Sequence, residues 1–355
     1  MKKIMTIVGA RPQLIKAAAV SRALGKSGIK EIIVHTGQHF DKNMSAIFFD
    51  EMGIPAPDYN LEINSLNHGA MTGRMMEKIE DLLLLEKPDL VMVYGDTNST
   101  LAGALSAKKL CIKLAHVEAG LRSFNMRMPE EINRILTDRI SDYLFCPTDA
   151  AVSNLIAEGF KNYNSKIYKV GDVMYDAALY YSKFSKDRSS VMSENGLEDK
   201  KFVLCTVHRE ENTNNLENLK SIIAALNKIN MQTRVVLPLH PRTRKVIKKN
   251  NLKLAFNPLE PVGYFDIIEL LKHCRLVITD SGGMQKEAYF FGKYCITLRE
   301  ETEWVELVSS KVNLLAGTNK KKILNSFIRL SERKPVKVTS LYGNGKASEK
   351  IVSLL

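Results

Sequence analysis

The chain alternates short apolar runs with helical patterns along almost its whole length, and this alternation constrains the fold more than any other feature. Each run is bounded by polar or turn residues, as is typical of buried strands in a parallel sheet. A repeated strand–helix pattern predicts an α/β fold with right-handed crossovers. In the first half the predicted strands are 4–8, 31–35, 90–94, 111–117, 143–146 and 166–170.

The second half repeats this pattern after a polar segment, 182–200, that has no strong periodicity. A chain of 355 residues is too long for one small core and suits two domains. We therefore predict two Rossmann-like, doubly wound domains, the first over 1–171 and the second over 172–340. The predicted strands of the second domain are 202–206, 233–237, 252–256, 276–278 and 294–298.

In two segments, 7–16 and 279–288, the sequence pattern predicts a strand, a turn of small residues and the start of a helix. Helix starts offer unpaired N–H groups and a positive dipole end, which favour phosphate. The first segment is neither a GxGxxG nor a P-loop motif, and the second, with its paired glycines, is the more specific of the two. Two such segments predict that an anionic ligand, such as a nucleotide diphosphate, binds in a cleft between the domains. The candidate contacts are Arg11, Lys16, Ser281, Gly282 and Gly283.

Ionisable residues follow several predicted strands at their carboxyl ends, where ligands bind in doubly wound sheets. Asp96, Glu118 and Glu130 come from the first half, and His208 with Arg209 from the second. The small, apolar neighbours of Glu118 predict a raised carboxyl pKa, which suits a general acid or base. Each residue also has a structural alternative. Asp96 can cap the following helix, Glu130 can complement a helix dipole, and His208 can be a structural histidine.

Composition excludes several classes of function. The formal charge of +12 comes from lysines that are scattered rather than gathered in a basic stripe, so we expect no nucleic-acid partner. No apolar run is long enough for a signal peptide or a membrane span, so we expect a cytoplasmic protein with no membrane contact. The five cysteines lack CxxC spacing, and no histidine pattern suits a metal, so free thiols and no metal are predicted.

Six motifs occur in order along the chain: Gly9-Ala10-Arg11-Pro12 with Lys16, Gly95-Asp96-Thr97, 116–122, 129–131 with Arg134, His208-Arg209-Glu210 and 280–288. Together they resemble the motifs of the non-hydrolysing UDP-N-acetylglucosamine 2-epimerase family. The resemblance covers about residues 3–335 and implies a two-domain glycosyltransferase-B fold, a homodimer, no cofactor, and a C-terminal helix within 341–355 that packs back on the first domain.

The resemblance also implies an activity: the inversion of carbon 2 of a UDP-2-acetamido sugar through elimination and re-addition of UDP. Asp96, Glu118 and Glu130 match the family's acid/base carboxylates, and the sequence leaves open which one serves which face of the sugar. His208 matches a catalytic histidine near the diphosphate. Closure of the two domains around the intermediate is expected. The matching substrate contacts are Arg11, Lys16, Arg209, Ser281, Gly282, Gly283 and Glu287.

Three motifs depart from the family pattern. The GTRPE motif ends here in Gln13, and Trp304 replaces the arginine of TERPE. Both changes resemble relatives that epimerise modified sugars such as UDP-2,3-diacetamido-glucuronate or an N-acetylfucosamine-type substrate. The activator motif QHREM is altered at 38–41, which puts allosteric activation by UDP-N-acetylglucosamine in doubt. The sequence therefore leaves UDP-N-acetylglucosamine and a modified UDP-HexNAc as competing substrates.

Three other functions fit the same fold. A glycosyltransferase needs an acceptor and does not exchange the C2 proton, and the acidic residues of the first domain argue against it. A hydrolysing 2-epimerase releases free sugar and UDP. A two-lobed solute-binding protein has little use for three carboxylates at the ligand and lacks its export signal here.

Overall fold

The computed structural model describes residues 2–38, 53, 55–334 and 336–355, so 39–41 of the altered activator motif lie outside the described residues. The chain divides into two compact units. The first comprises Met1–Ala177 together with Ser340–Leu355, and the second comprises Ala178–Thr339. Each unit has its own parallel sheet and its own apolar core.

The first unit contains, within the described residues, a seven-stranded parallel sheet of order β3-β2-β1-β4-β5-β6-β7. Successive strands run first outward from β1 through β2 to β3, and then outward on the other side from β4 to β7. This is the doubly wound order of Rossmann-type domains. The strands are β1 (Lys3–Val8), β2 (Lys30–His35), β3 (Tyr59–Asn60), β4 (Leu90–Tyr94), β5 (Lys113–Val117), β6 (Tyr143–Cys146) and β7 (Lys166–Lys169).

Helices cover the sheet of the first unit. Side chains of β1 alternate between faces, so Met5 and Ile7 enter one apolar cluster with Met75 and Ile79 of α2 and Ala104 of α3. The helices are α1 (Arg11–Lys26), α2 (His68–Glu86), α3 (Asn98–Lys109), α4 (Pro129–Ile140), α5 (Asp149–Ala157) and α6 (Val173–Tyr181). The division between the units falls within α6. The last helix of the chain, α16 (Ala347–Leu354), also belongs to the first unit.

The C-terminal segment belongs to the first unit, where α16 contacts α1. Asp176 accepts hydrogen bonds from the backbone N–H groups of Ala347 (3.1 Å) and Ser348 (2.7 Å), which satisfies the start of α16. Ile351 is fully buried. Burial of the carboxyl raises the pKa of Asp176, and these N–H donors act in the opposite direction.

The second unit has a five-stranded parallel sheet of order β12-β11-β10-β8-β9 within the described residues. Its strands are β8 (Phe202–Thr206), β9 (Arg234–Val236), β10 (Val277–Thr279), β11 (Cys295–Thr297) and β12 (Asn313–Leu315). Its helices are α7 (Ser185–Arg188), α8 (Val191–Glu194), α9 (Glu210–Thr213), α10 (Leu216–Asn230), α11 (Pro241–Lys249), α12 (Tyr264–His273), α13 (Gly282–Phe290), α14 (Val305–Ser309) and α15 (Lys320–Ser331).

Alternation along β8 divides the second unit's core between the two faces of its sheet. Val203 and Cys205 pack in one cluster with α10 and α15, whereas Phe202 and Leu204 pack in another with α12 and α13. Helices on both faces of a parallel sheet confirm the predicted α/β class. All five cysteines are free, and all except Cys111 are buried.

The strand predicted at 252–256 is wrong. Leu252, Leu254 and Phe256 are half-buried at alternate positions and pack against the second unit's core, which explains the strand-like pattern. Among the residues that the structure describes, this segment pairs with no strand, and an isolated bridge forms further on, between Pro238 and Leu259. The short edge strands β3 and β12 were not predicted.

Ligands bind doubly wound sheets beyond the carboxyl ends of the strands, at the point where the strand order reverses. In the first unit this point lies between β1 and β4, and in the second between β8 and β10. The turns that follow these four strands carry the Arg11, Asp96, His208 and Ser281 predicted as site residues. No helix in the described parts of the chain is both long and apolar enough to cross a bilayer.

Candidate active site

The turn after β1 is held in place by Gln13, in the first turn of α1. The amide oxygen of Gln13 accepts from the N–H groups of Gly9 (2.8 Å) and Ala10 (3.1 Å), and its nitrogen donates to Tyr94 O (2.6 Å) and Thr100 Oγ1 (2.9 Å). Gln13 therefore joins this turn to the end of β4. A Cβ atom on Gly9 would overlap Ser99, so the turn needs glycine. Arg11, the first residue of α1, is exposed.

Glu118 and Lys16 form an ion pair that is almost buried, with 8% and 11% of their side chains exposed. A Cβ atom on Gly95 would lie 3.2 Å from Glu118 Oε2 and 3.3 Å from Lys16 Nζ, so the turn after β4 lies against this pair. This setting differs from the apolar one expected from the sequence. The Lys16 ammonium favours the ionised carboxylate, which is the form a general base needs.

The backbone of Glu118 is left-handed, with φ of +75°, which is rare for a residue other than glycine. The N–H groups of Glu118 and Ala119 both donate to Phe145 O at 3.1 Å, which holds the chain in this conformation beyond the end of β5. Strained backbone of this kind concentrates at functional sites, because the surrounding structure has to maintain it. The conformation directs the turn after β5 toward Lys16.

Asp96 contacts Arg134 of α4. The carboxylate accepts from Arg134 Nε at 3.0 Å and lies 2.8 Å from Nη2, and one third of its side chain is exposed. The capping role considered for Asp96 is wrong, because Thr97 is the N-cap of α3 and accepts from Thr100 N. Asn133 Nδ2 donates to Asp96 O at 2.9 Å, so α4 holds both the backbone and the side chain of Asp96.

Glu130 and Glu131, adjacent in the first turn of α4, have different surroundings. Glu130 is exposed, and it precedes Arg134 by four residues, which places it on the helix face that meets Asp96. Glu131 is fully buried and accepts from the N–H groups of Ser123 and Phe124 and from Arg134. Glu131 therefore fixes the loop before α4, and Glu130 remains available to a ligand.

In the second unit, Asp280 organises the turn after β8. Its buried carboxylate accepts from the N–H groups of His208 (3.0 Å) and Arg209 (3.0 Å) and from Asn212 Nδ2 (3.1 Å). His208 Nδ1 lies 3.5 Å from Asp280 Oδ1. The His208 side chain is 39% exposed. The backbone of His208 is thus held by Asp280, while its imidazole ring is accessible.

The turn after β10 leads directly into α13. Ser281 is the N-cap, and its hydroxyl oxygen accepts from Met284 N at 3.4 Å. A Cβ atom on Gly282 would overlap Glu303 Oε1, whereas a Cβ atom on Gly283 would meet nothing within 4 Å. Gly283 therefore borders open space where a ligand can approach the helix start. Glu287, one turn further on, is largely buried.

Several ionisable residues near these turns were missed as site candidates. His240, the N-cap of α11, lies 5.7 Å from His208 between ring centroids. Burial lowers the pKa of His240, and the charges of His208 and Arg242 act in the same direction. Lys286 Nζ lies 3.9 Å from the centre of the Trp304 ring. In the described part of the chain, no group of three or more His, Cys, Asp or Glu residues could hold a metal ion.

Asp138 was also missed, although a helical signal points to it. Glu131, Arg134 and Asp138 are polar residues at i, i+3 and i+7, so they share one face of α4, and all three are buried. Asp138 accepts from His116 Nδ1 (2.7 Å), Gly120 N (3.1 Å) and Arg122 Nη1 (2.7 Å). A buried polar face on a helix therefore marks the network that supports the end of β5.

Fold and site together define a class: an α/β protein with two Rossmann-like units, each with candidate ligand-binding turns where its strand order reverses. A family model described as UDP-N-acetylglucosamine 2-epimerase matches residues 22–355. The chain is 55% identical over 356 residues to the UDP-2,3-diacetamido-2,3-dideoxy-D-glucuronate 2-epimerase of Pseudomonas aeruginosa, with 99% of each chain covered. It is 45% identical over 364 residues to the UDP-N-acetylglucosamine 2-epimerase of Methanocaldococcus jannaschii, covering 99% of this chain and 98% of that one.

Solved structures agree with these matches. The Methanocaldococcus jannaschii enzyme in complex with UDP-GlcNAc and UDP has a TM-score of 0.91 at 45% identity, with 99% of each chain covered. The Neisseria meningitidis enzyme bound to UDP-GlcNAc has a TM-score of 0.89 at 31% identity, again over 99% of each chain. The glycosyltransferase VinC, at 14% identity and a TM-score of 0.52, shares the fold alone.

The chain belongs to the UDP-N-acetylglucosamine 2-epimerase family. It is therefore an isomerase of the UDP-sugar 2-epimerase class. The predicted family and the glycosyltransferase-B fold class are confirmed.

Proposed function

We propose that this protein inverts carbon 2 of a UDP-2-acetamido sugar by eliminating UDP and adding it back. The observation that carries the proposal is the placement of two paired carboxylates, Glu118 with Lys16 and Asp96 with Arg134, at the point where the first sheet reverses its order. Carboxylates can act as general bases and, once protonated, as general acids, which is the chemistry that exchange of the C2 proton needs. The relatives named above support the reaction class.

The reaction balances without a redox cofactor. A carboxylate takes the C2 proton while the bond from C1 to the UDP oxygen breaks, which leaves a C1–C2 double bond and UDP. The same UDP oxygen then bonds to C1, and an acid delivers a proton to the opposite face of C2. We assign these transfers to Asp96, Glu118 and Glu130 as a set, with their order left open.

Binding of UDP is assigned to the anion-binding turns of both units. Arg11 and Lys16 supply positive charge in the first unit. In the second unit His208 and Arg209 are held by Asp280, and the start of α13 offers backbone N–H groups at Gly282 and Gly283. The Ser281 hydroxyl donates to phosphate, and Glu287 accepts from the ribose hydroxyls. His208, beside the phosphates, stabilises the departing UDP.

UDP-N-acetylglucosamine is the first candidate substrate, supported by the Methanocaldococcus jannaschii and Neisseria meningitidis relatives. UDP-2,3-diacetamido-2,3-dideoxy-D-glucuronate is the second candidate. It is favoured by the 55% identity to the Pseudomonas aeruginosa enzyme and by Trp304, which replaces the arginine of the TERPE motif. In the structure Trp304 is buried and packs against Lys286.

The two sugars are separated by incubating the enzyme with each and following the C2 proton by NMR. The substrate is the sugar for which kcat/KM is higher. An isotopic label in the oxygen bridging C1 and the β-phosphorus tests the elimination, because released UDP makes that oxygen equivalent to its neighbours. Epimerisation without scrambling of the label contradicts elimination. Free sugar as the product identifies a hydrolysing enzyme, and a requirement for an acceptor identifies a glycosyltransferase.

We further propose that the protein is a cytoplasmic homodimer that supplies a sugar nucleotide for polysaccharide biosynthesis. Four buried free thiols suit a reducing compartment. Exposed apolar side chains in and before α4 suit contact with a second copy: Phe124, Met126, Ile132 and Leu136. Light scattering of the wild type and of the Leu136→Asp variant tests the dimer, which the substitution should weaken.

A further inference from the structure

His116, near the end of β5, is a fully buried histidine whose two ring nitrogens both face oxygen atoms. Nδ1 lies 2.7 Å from Asp138 Oδ1, and Nε2 lies 2.7 Å from the carbonyl oxygen of Gly95. A carbonyl oxygen has no proton to give, so Nε2 is the donor in the second contact. The proton on Nδ1 depends on whether Asp138 is ionised.

Asp138 is ionised in this network. Its other oxygen, Oδ2, accepts from Gly120 N (3.1 Å) and Arg122 Nη1 (2.7 Å), so two donors converge on it. Burial acts to raise the pKa of Asp138, but the charges and hydrogen bonds of His116 and Arg122 outweigh burial and hold it below its usual value. An ionised carboxylate only accepts, so Nδ1 also carries a proton.

The resulting charges balance. With protons on both nitrogens of His116, the positive groups of His116 and Arg122 face the carboxylates of Asp138 and Glu158, and Arg122 Nε lies 2.7 Å from Glu158 Oε1. Buried charges persist when each has a partner and its hydrogen bonds are satisfied. Burial acts to lower the pKa of Arg122, and its partners Glu158 and Asp138 raise it above its usual value. The network is therefore self-consistent with His116 as an imidazolium.

The carbonyl that accepts from His116 belongs to the residue before Asp96. Gly95 has a left-handed φ of +62°, and its N–H donates to Val117 O at 3.0 Å. Both polar groups of the Gly95 backbone therefore bond to β5. The N–H donates to Val117 O, and the carbonyl oxygen accepts from His116 Nε2. The same strand continues into Glu118. The hydrogen bond from His116 thus fixes the turn that carries Asp96 relative to the strand end that carries Glu118.

We propose that His116 is a positioning residue, a buried imidazolium whose bond to Gly95 sets the spacing of Asp96 and Glu118. The inference rests on the proposed function for the roles of these two carboxylates. It assigns His116 no contact with substrate. The bond to Gly95 needs only a proton on Nε2, whereas the bond to Asp138 accounts for the charge.

Two substitutions separate the effect of the hydrogen bond between His116 and Gly95 from the effect of the charge on His116. His116→Asn removes the long donor to Gly95, and we expect kcat to fall by about 10²-fold while KM and UDP affinity change little, as for a misplaced catalytic group. In Asp138→Asn the new amide can donate to Nδ1 and still accept from Arg122 and Gly120. This variant should keep the Gly95 bond with a neutral His116 and retain kcat. His35→Asn, which removes another buried histidine from the same sheet, is the control for lost packing.

Two further readouts do not depend on activity. NMR of protein with nitrogen-labelled histidine should show protons on both His116 nitrogens in the wild type and on one in Asp138→Asn. A single proton in the wild type overturns the imidazolium. Hydrogen exchange of 94–100 should accelerate in His116→Asn and not in His35→Asn. Unchanged exchange, or unchanged kcat in His116→Asn, overturns the positioning role. If the wild type epimerises neither sugar, the proposed function fails. Hydrogen exchange and histidine NMR then still test the bond from His116 to Gly95 and the charge of His116.

Discussion

At the scale of single residues, the first unit holds its candidate acid/base groups by opposite charge. Glu118 meets Lys16, and Asp96 meets Arg134. In each pair the cation holds the carboxylate in place. Inversion at C2 needs a second group that carries a proton on the opposite face of the sugar. A carboxylate that returned its proton to the face from which it came would regenerate the starting sugar.

Glu118→Gln keeps the shape of the side chain and removes its basicity. We expect kcat to fall by about 10²–10⁴-fold, the usual contribution of a general acid or base, while UDP binding survives. Asp96→Asn should behave in the same way. Asp149→Asn is the matched control, because Asp149 is 84% exposed and pairs with Lys169 at the surface. NMR kinetics and calorimetric titration of UDP measure both quantities. A near-normal rate in either site variant would contradict its assigned role.

Asp138 predicts an acid-sensitive contribution to stability. Its pKa in the folded protein is below the ordinary value of 3.8 because the interactions with His116 and Arg122 outweigh burial. A depressed carboxyl pKa stabilises the fold above the unfolded pKa, and this contribution is lost as the pH falls through the folded pKa. Urea unfolding should therefore show a steeper loss of stability below about pH 4 in the wild type than in Asp138→Asn. Equal slopes would contradict an ionised Asp138.

At the scale of elements, the sequence located most of the strand ends that carry the candidate site residues, but it missed two edge strands and predicted one strand wrongly. Parallel strands bring their carboxyl ends to one edge of a sheet, so residues such as Asp96 and His208 could be placed from sequence position alone. The edge strand β3 was missed because it is only two residues long. The edge strand β12 is as short as the predicted strands β9, β10 and β11, but both of its leucines are only half-buried, so its apolar pattern is weaker. The 252–256 segment has an apolar alternation without a partner strand, which sequence patterns cannot distinguish from a true strand.

The pairings inside the site could not be predicted in this way. Lys16 and Glu118 are 102 residues apart, and His116 and Asp138 are 22 residues apart. Such contacts depend on how strands and helices pack in three dimensions. Local motifs indicate the residue types that a site contains, and the tertiary fold decides which of them meet.

The start of α13 offers a matched pair of glycine substitutions. Gly282→Ala forces Glu303 to move, and we expect a destabilisation of about 1–3 kcal/mol together with weaker UDP binding. Gly283→Ala meets open space, so thermal stability should be unchanged or higher. If phosphate approaches the backbone there, UDP binding should weaken by about tenfold, which corresponds to one well-made contact. Thermal unfolding and titration of UDP separate the two effects. If Gly283→Ala bound UDP with wild-type affinity, the phosphate would not bind against the backbone at this turn.

At the scale of the whole molecule, the C-terminal segment is an integral part of the first unit, because α16 returns to α1 after the second unit is complete. Ile351→Ala should destabilise the first unit by about 2–5 kcal/mol, as expected for a fully buried isoleucine. Leu354→Ala, in the same helix but 36% exposed, should cost much less. Chemical denaturation of both variants checks this. Equal effects would contradict docking of α16 through Ile351.

Two Rossmann-like units with turns for a nucleotide, and paired carboxylates in the first, lead to one chemical claim: the protein breaks and remakes the C–H bond at carbon 2 of a UDP-sugar. The direct measurement is incubation with UDP-N-acetylglucosamine, and separately with UDP-2,3-diacetamido-2,3-dideoxy-D-glucuronate, in deuterated water. We predict deuterium at carbon 2 of both epimers of the true substrate. The absence of deuterium at that carbon with both sugars would contradict this account.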